Sequence, residues 1–110
     1  MEDRITKLVT ESKALNSKIF SLPRLLVLLS LEKLDQDGAT YRELKAGLEL
    51  DDGVLYSNLN ALKNMGYLTE NEIRLEKKKM ASFAITSEGK EALLAARGWL
   101  GKWLRGGKNE

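Results

Sequence analysis

Ile5, Leu8, Ser12, Leu15 and Ile19 fall at alternating spacings of three and four residues with charged side chains between them, which predicts an amphipathic helix over residues 3–19. Two heptads are too few for a free coiled coil. Such a helix has to dock, either on the body of its own chain or on the same helix of a second copy. Ser21-Leu22-Pro23 then places a capping hydroxyl and a first-turn proline ahead of Leu25, Leu26, Val27, Leu28, Leu29, Leu31 and Leu34. A helix over about 23–35 that is apolar nearly all round belongs at the centre of the core, and Asp35-Gln36-Asp37-Gly38 stops it.

Thr40-Tyr41-Arg42-Glu43 has the form of a capping box and opens a short helix with Leu44 inward, ending near Gly47. After a tight turn from Gly47 to Leu50, Asp51 or Asp52 caps a helix over 52–65. Leu55, Leu59 and Leu62 form its buried stripe, and Gly66 is its left-handed terminator. Tyr56, Ser57, Asn60 and Lys63 then lie on its outer face. Partial alternation at Leu68, Ile73 and Leu75, and again at Phe83 and Ile85, predicts a β-hairpin over 67–85 with Glu76-Lys77-Lys78-Lys79 as its polar tip. Thr86-Ser87-Glu88 starts a last helix over 87–104. Leu93, Ala96, Leu100 and Leu104 share one side of it and Trp99 and Trp103 stand one turn apart, before a fraying tail from Gly106 to Glu110.

With 110 residues, 43% hydrophobic and a single proline, the chain reads as one globular domain, 1–110, too small for an interdomain cleft. The apolar run from Leu25 to Leu29 is far too short to span a bilayer, and the charged stretch from Met1 to Lys7 does not resemble a signal peptide. The expectation is a soluble, cytoplasmic protein with no membrane partner. The absence of Cys and His removes thiolate and imidazole metal sites, disulfides, thiol nucleophiles and His-based acid–base pairs. Carboxylates remain, but singly, with no phosphate-cradling glycine loop to organise them. A binding module without cofactor, metal or catalysis is therefore expected. The net charge of +2 permits nucleic-acid binding without demanding it. Residues 22–67 carry 5 basic and 7 acidic groups and residues 86–110 carry 5 and 3, so the positive excess lies towards the C-terminus.

Helix, short helix, tight turn, helix and two-stranded hairpin is the order of a winged helix-turn-helix, here mainly α with a small β-hairpin and with extra N- and C-terminal helices. Leu22-Pro23-Arg24, Tyr41-Arg42-Glu43-Leu44, the run from Asp52-Gly53-Val54-Leu55-Tyr56-Ser57-Asn58-Leu59-Asn60 to Gly66-Tyr67-Leu68, and Ala84-Ile85-Thr86-Ser87-Glu88-Gly89 carry a family likeness. They resemble small prokaryotic winged-helix transcriptional regulators of the ArsR/MarR type, over roughly residues 22–95. The resemblance implies a homodimer that binds operator DNA and represses or activates transcription, with the first and last helices supplying the dimer contact. Many relatives carry a His where this chain has Asn58. Metal-sensing members use Cys and His ligands that are wholly absent here, which excludes sensing by such sites.

Within that frame the core is 22–85, residues 52–65 are the recognition helix and 67–85 the wing. Tyr56, Ser57, Asn58 and Asn60 are candidates for base edges and phosphates, since Asn bonds adenine bidentately and Ser and Tyr reach phosphate oxygens. Gly53 and Val54 lie at the leading end of the same helix and Lys63 at its trailing end. Arg24, Arg42 and Lys45 are candidate backbone clamps, and Arg74, Lys77, Lys78 and Lys79 are placed to neutralise phosphates from the wing. Asp51 and Asp52 oppose phosphates at the leading end and are read as capping groups, which favours summing weak contacts over two half-sites. Ile5, Leu8, Leu15 and Ile19 of helix 3–19, with Leu93, Trp99, Leu100 and Trp103 of helix 87–104, are the candidate dimer interface, being more apolar surface than one small core readily covers. No effector is named by the sequence; the cleft between the terminal helices and the body is where one fits. The rival reading is a winged helix used for protein–protein assembly, favoured by the net-acidic middle segment.

Overall fold

The structure is a computed structural model and describes residues 3–105. Its elements are α1 (Asp3–Ser12), α2 (Leu22–Leu34), β1 (Ala39–Thr40), α3 (Tyr41–Leu48), α4 (Asp52–Asn64), β2 (Leu68–Leu75), β3 (Lys78–Ile85) and α5 (Ser87–Leu104). The strands form one antiparallel sheet in the order β1-β3-β2. This is the expected winged helix-turn-helix, mainly helical, with a helix added at each end.

Local chemistry explains most boundaries. The Ser21 hydroxyl accepts from Arg24 N at the start of α2, whose Val27, Leu28 and Leu31 are fully buried against α3, α4, α5 and β3. Both halves of the capping box at Thr40 and Glu43 are made. Helix α4 ends in a Schellman arrangement: Tyr67 N donates to Leu62 O at 3.0 Å and Gly66 N to Lys63 O at 2.9 Å, with Gly66 at φ 83°. Thr86 then serves two helices. Its hydroxyl oxygen accepts from Gly89 N to cap α5, and the same hydroxyl donates to Gly66 O at the end of α4. Gly89 is there for space, since a Cβ on it would sit 2.5 Å from Tyr67 O. The core gathers Leu55, Leu59 and Leu62 of α4, Leu68, Phe83 and Ile85 of the sheet and Leu93 of α5 around α2.

Several boundaries differ from those expected. The first helix stops at Ser12, not at residue 19. The Ser12 hydroxyl bonds back to Val9 O, and Asn16 leaves the helix to cap a 3-10 turn over Ser17–Ile19. Ile19 is only 1% exposed, packed in the chain's own core, so it leaves the dimer set, as does Leu93 at 3%. Helix α3 runs through Gly47 to Leu48, and Glu49, at φ 55°, takes the left-handed cap position without being glycine. Asp51 occupies the cap position of α4 but makes no side-chain cap bond. The wing tip is a two-residue turn, Glu76-Lys77, both at positive φ, so Lys78 and Lys79 belong to β3 rather than to the tip. The tail Gly106–Glu110, expected to fray, lies outside the described residues.

Candidate nucleic-acid interface

Helix α4 is positioned by its buried leucine stripe, which turns Gly53, Tyr56, Ser57 and Asn60 towards the opposite side. Tyr56 is 62% exposed, Ser57 and Gly53 are exposed, Val54 is 37% exposed and Asn60 is half-buried. A Cβ at Gly53 would meet nothing within 4 Å, so the start of the helix is open to close approach. Asn58 is different. Its Oδ1 accepts from Arg24 Nε at 2.8 Å and its Nδ2 donates to Val54 O at 2.8 Å, so both ends of the amide are engaged within the chain. Arg24 also donates to Lys18 O at 2.7 Å. The pair ties α2 to α4.

The hairpin register divides the wing into two faces. Leu68↔Ile85, Glu70↔Phe83, Glu72↔Ala81 and Arg74↔Lys79 share the face that continues into the core. Thr69, Asn71, Ile73 and Leu75 lie on the other, with Lys78 across from Leu75. The basic groups are therefore confined to the far end: Lys77 in the turn, Arg74 and Lys79 on the inner face, Lys78 on the outer. A groove of about 250 Å³ between the start of α3 and β3 is lined by Tyr41, Arg42, Lys78 and Lys79, which brings three of the expected phosphate ligands together.

The two remaining lysines of the expected set are paired. Lys45 Nζ lies 3.1 Å from Asp52 Oδ2, and Tyr41 Oη donates to Asp52 Oδ1 at 2.9 Å. The Lys45 ammonium and then the Tyr41 hydroxyl hold the Asp52 carboxyl below the ordinary carboxylate range. Burial, followed by the bond to Asp52, pushes the Tyr41 phenol up. At the other end of α4, Lys63 Nζ lies 2.8 Å from Glu70 Oε1 on β2. Neither carboxylate partner was expected, because each pair crosses between elements and leaves no within-helix spacing in the sequence.

Helix α1 lies on α5 of its own chain. Trp99 Nε1 donates to Leu8 O at 3.3 Å, Trp103 Nε1 donates to Glu11 Oε1 at 3.1 Å, and Lys102 Nζ lies 2.9 Å from Glu11 Oε2. The Lys102 bond chiefly, with Trp103, holds the Glu11 carboxyl below its usual range. Both indoles are half-buried, as are Leu8, Leu15 and Leu100, while Ile5 remains 52% exposed. On the other side of α5, Leu93, Ala96, Leu100 and Leu104 with Leu25 and Leu29 of α2 line an apolar groove of about 420 Å³. Among the described residues no helix is long and apolar enough to cross a membrane, and no group of three or more His, Cys, Asp or Glu residues is placed to hold a metal ion.

Residues 24–104 match the family model described as a winged helix DNA-binding domain. Solved structures share the fold at low identity. A Streptococcus mutans protein is 15% identical with a TM-score of 0.58, covering 78% of this chain and 92% of its own. A PadR-like transcription factor from Bacteroides fragilis is 18% identical with a TM-score of 0.57, covering 76% and 89%. A candidate transcriptional regulator from Thermoplasma acidophilum is 23% identical with a TM-score of 0.51, covering 76% and 92%. No curated protein gives a significant match.

Proposed function

The chain belongs to the winged helix DNA-binding domain family, and on that footing we propose that it binds double-stranded DNA sequence-specifically, in the cytoplasm, as a homodimeric transcriptional regulator. The observation that carries this reading is the outer stripe of α4. Gly53, Tyr56, Ser57 and Asn60 face away from the core, and the far end of the wing holds Arg74, Lys77, Lys78 and Lys79, with Arg42 of α3 in one groove with Lys78 and Lys79. In the major groove that stripe meets base edges, and the cations of the wing and of α3 meet phosphates.

The dimer is supported by apolar surface that the single chain leaves uncovered. Ile5 and Val9 on α1 are 52% and 45% exposed, Leu104 at the end of α5 is 79% exposed, and Leu100 lines the open groove against α2. Trp99 and Trp103 contribute by bonding to Leu8 O and Glu11 Oε1, which holds α1 against α5 as one surface, and Leu15, half-buried beyond the end of α1, adjoins the first half of α5. Two recognition helices about one DNA turn apart would then occupy a pseudo-palindrome and act by blocking or assisting polymerase, with no catalysis and no cofactor. The motifs resemble the ArsR/MarR type, and a PadR-like factor is among the structural neighbours.

Tyr56→Ala and Asn60→Ala test the reading. Each is expected to shrink the ratio of operator to scrambled-duplex affinity by about 5- to 100-fold while leaving the salt slope in place. An unchanged ratio in both variants would remove α4 as the readout surface and favour assembly with a protein partner instead.

A further inference from the structure

Lys45 and Lys63 bracket the exposed stripe of α4, and each is already matched to a carboxylate. Asp52 stands in the first turn of α4, where it takes Lys45 from the preceding helix. Glu70 stands on the stem of the wing, where it takes Lys63 from the last turn of α4. Neither pair is buried: the side chains are 45% and 68% exposed for Lys45 and Asp52, and 40% and 38% for Lys63 and Glu70. Ion pairs this accessible are weak and screened, so an incoming phosphate array can exchange with them.

We propose that Asp52 and Glu70 are built-in competitors for DNA phosphate, which occupy Lys45 and Lys63 in the free chain and hold down the affinity for any duplex; this role rests on the DNA-binding reading above. Sequence-independent binding is driven by cations that neutralise phosphates and release the counterions condensed on them. A lysine whose charge is balanced by its own carboxylate contributes less to that release, and the carboxylate left beside the phosphate repels it. Both pairs sit at the ends of a stripe whose readers, Tyr56, Ser57 and Asn60, are uncharged. The two carboxylates therefore set how tightly and how salt-dependently the protein binds, and the neutral stripe sets which sequence it prefers.

The isosteric amides Asp52→Asn and Glu70→Gln, singly and together, test this by fluorescence anisotropy on a random-sequence duplex and on a selected operator over a series of salt concentrations. Each amide is expected to raise affinity for both duplexes by roughly three- to tenfold near 50 mM salt and to steepen the log–log salt slope by about 0.9, the double variant combining the two effects. Replacing Lys45 by Met should cost more in the Asp52→Asn background than in the wild type, and Lys63→Met more in Glu70→Gln. Thermal melting checks that each variant is folded; Glu70, which has no hydrogen bond to Tyr41, carries the test if Asp52→Asn is loosened. If the wild type binds duplex and the folded amide variants bind no more tightly, with the same slope, the carboxylates are only ties between elements and the proposal is overturned. If neither wild type nor variants bind any duplex at low salt, the DNA-binding reading fails and takes the proposal with it.

Discussion

Replacing Lys77, Lys78 and Lys79 together by Ala is expected to lower affinity for every duplex by roughly 10- to 100-fold near 0.1 M salt and to reduce the salt slope by about 2 to 3. The hairpin geometry gives the reason. The turn puts Lys77 at the tip, Lys78 follows on the outer face opposite Leu75, and Lys79 points to the inner face opposite Arg74. The three lysines thus gather at the end of the wing, Lys78 and Lys79 lining one groove with Arg42, and a wing set against a DNA groove has phosphates on both walls. Arg74 and Lys79 face each other directly across the ladder, an arrangement that costs stability in the free chain and that a phosphate between them relieves. Selectivity between sequences should persist in the triple variant, because none of these lysines is placed on the reading stripe of α4. Anisotropy titrations at three salt concentrations decide the matter: a slope equal to that of the wild type would mean that the wing does not touch the backbone.

Leu28→Ala is expected to lower the free energy of unfolding by about 2–5 kcal/mol, as read from urea titration. That is a large part of the roughly 5–15 kcal/mol that holds a domain of this kind together. Leu28 is completely buried in the middle of α2, the helix against which α3, α4, α5 and β3 all pack. The surroundings relax only partly into the space its side chain leaves, with α4 held by its Schellman terminus and α5 by the Thr86 cap. A loss under about 1 kcal/mol would contradict this placement of α2. Since α4 rests on α2, the same variant should also loosen the orientation of the recognition helix.

Features with a local chemical signature were legible in the sequence. The capping box at Thr40 and Glu43, the terminator at Gly66 and the Thr86-to-Gly89 start of α5 each depend on residues within a turn of one another. What the sequence could not convey depends on partners far along the chain. Leu15 and Ile19 keep heptad spacing, but the helix has already ended at Ser12, and Asn16 caps a 3-10 turn that carries Ile19 into the core. The wing turn was hidden because Glu76-Lys77 lacks the Gly or Asn that normally marks two positive φ angles. Strand β1, two residues long, is too short to produce a pattern. The candidate interface divides in the same way. The exposed stripe of α4 follows from periodicity, whereas the engagement of Asn58 by Arg24, 34 residues away, and of Lys63 by Glu70 across the helix end are facts of three-dimensional packing.

The central claim, that two copies of α4 read DNA, is tested most directly by selecting bound sequences from a random duplex pool near physiological salt. The expected result is an enriched inverted repeat with half-sites about one helical turn apart. A pool that stays random, with binding that fades uniformly as salt rises, would contradict sequence-specific recognition by a symmetric dimer.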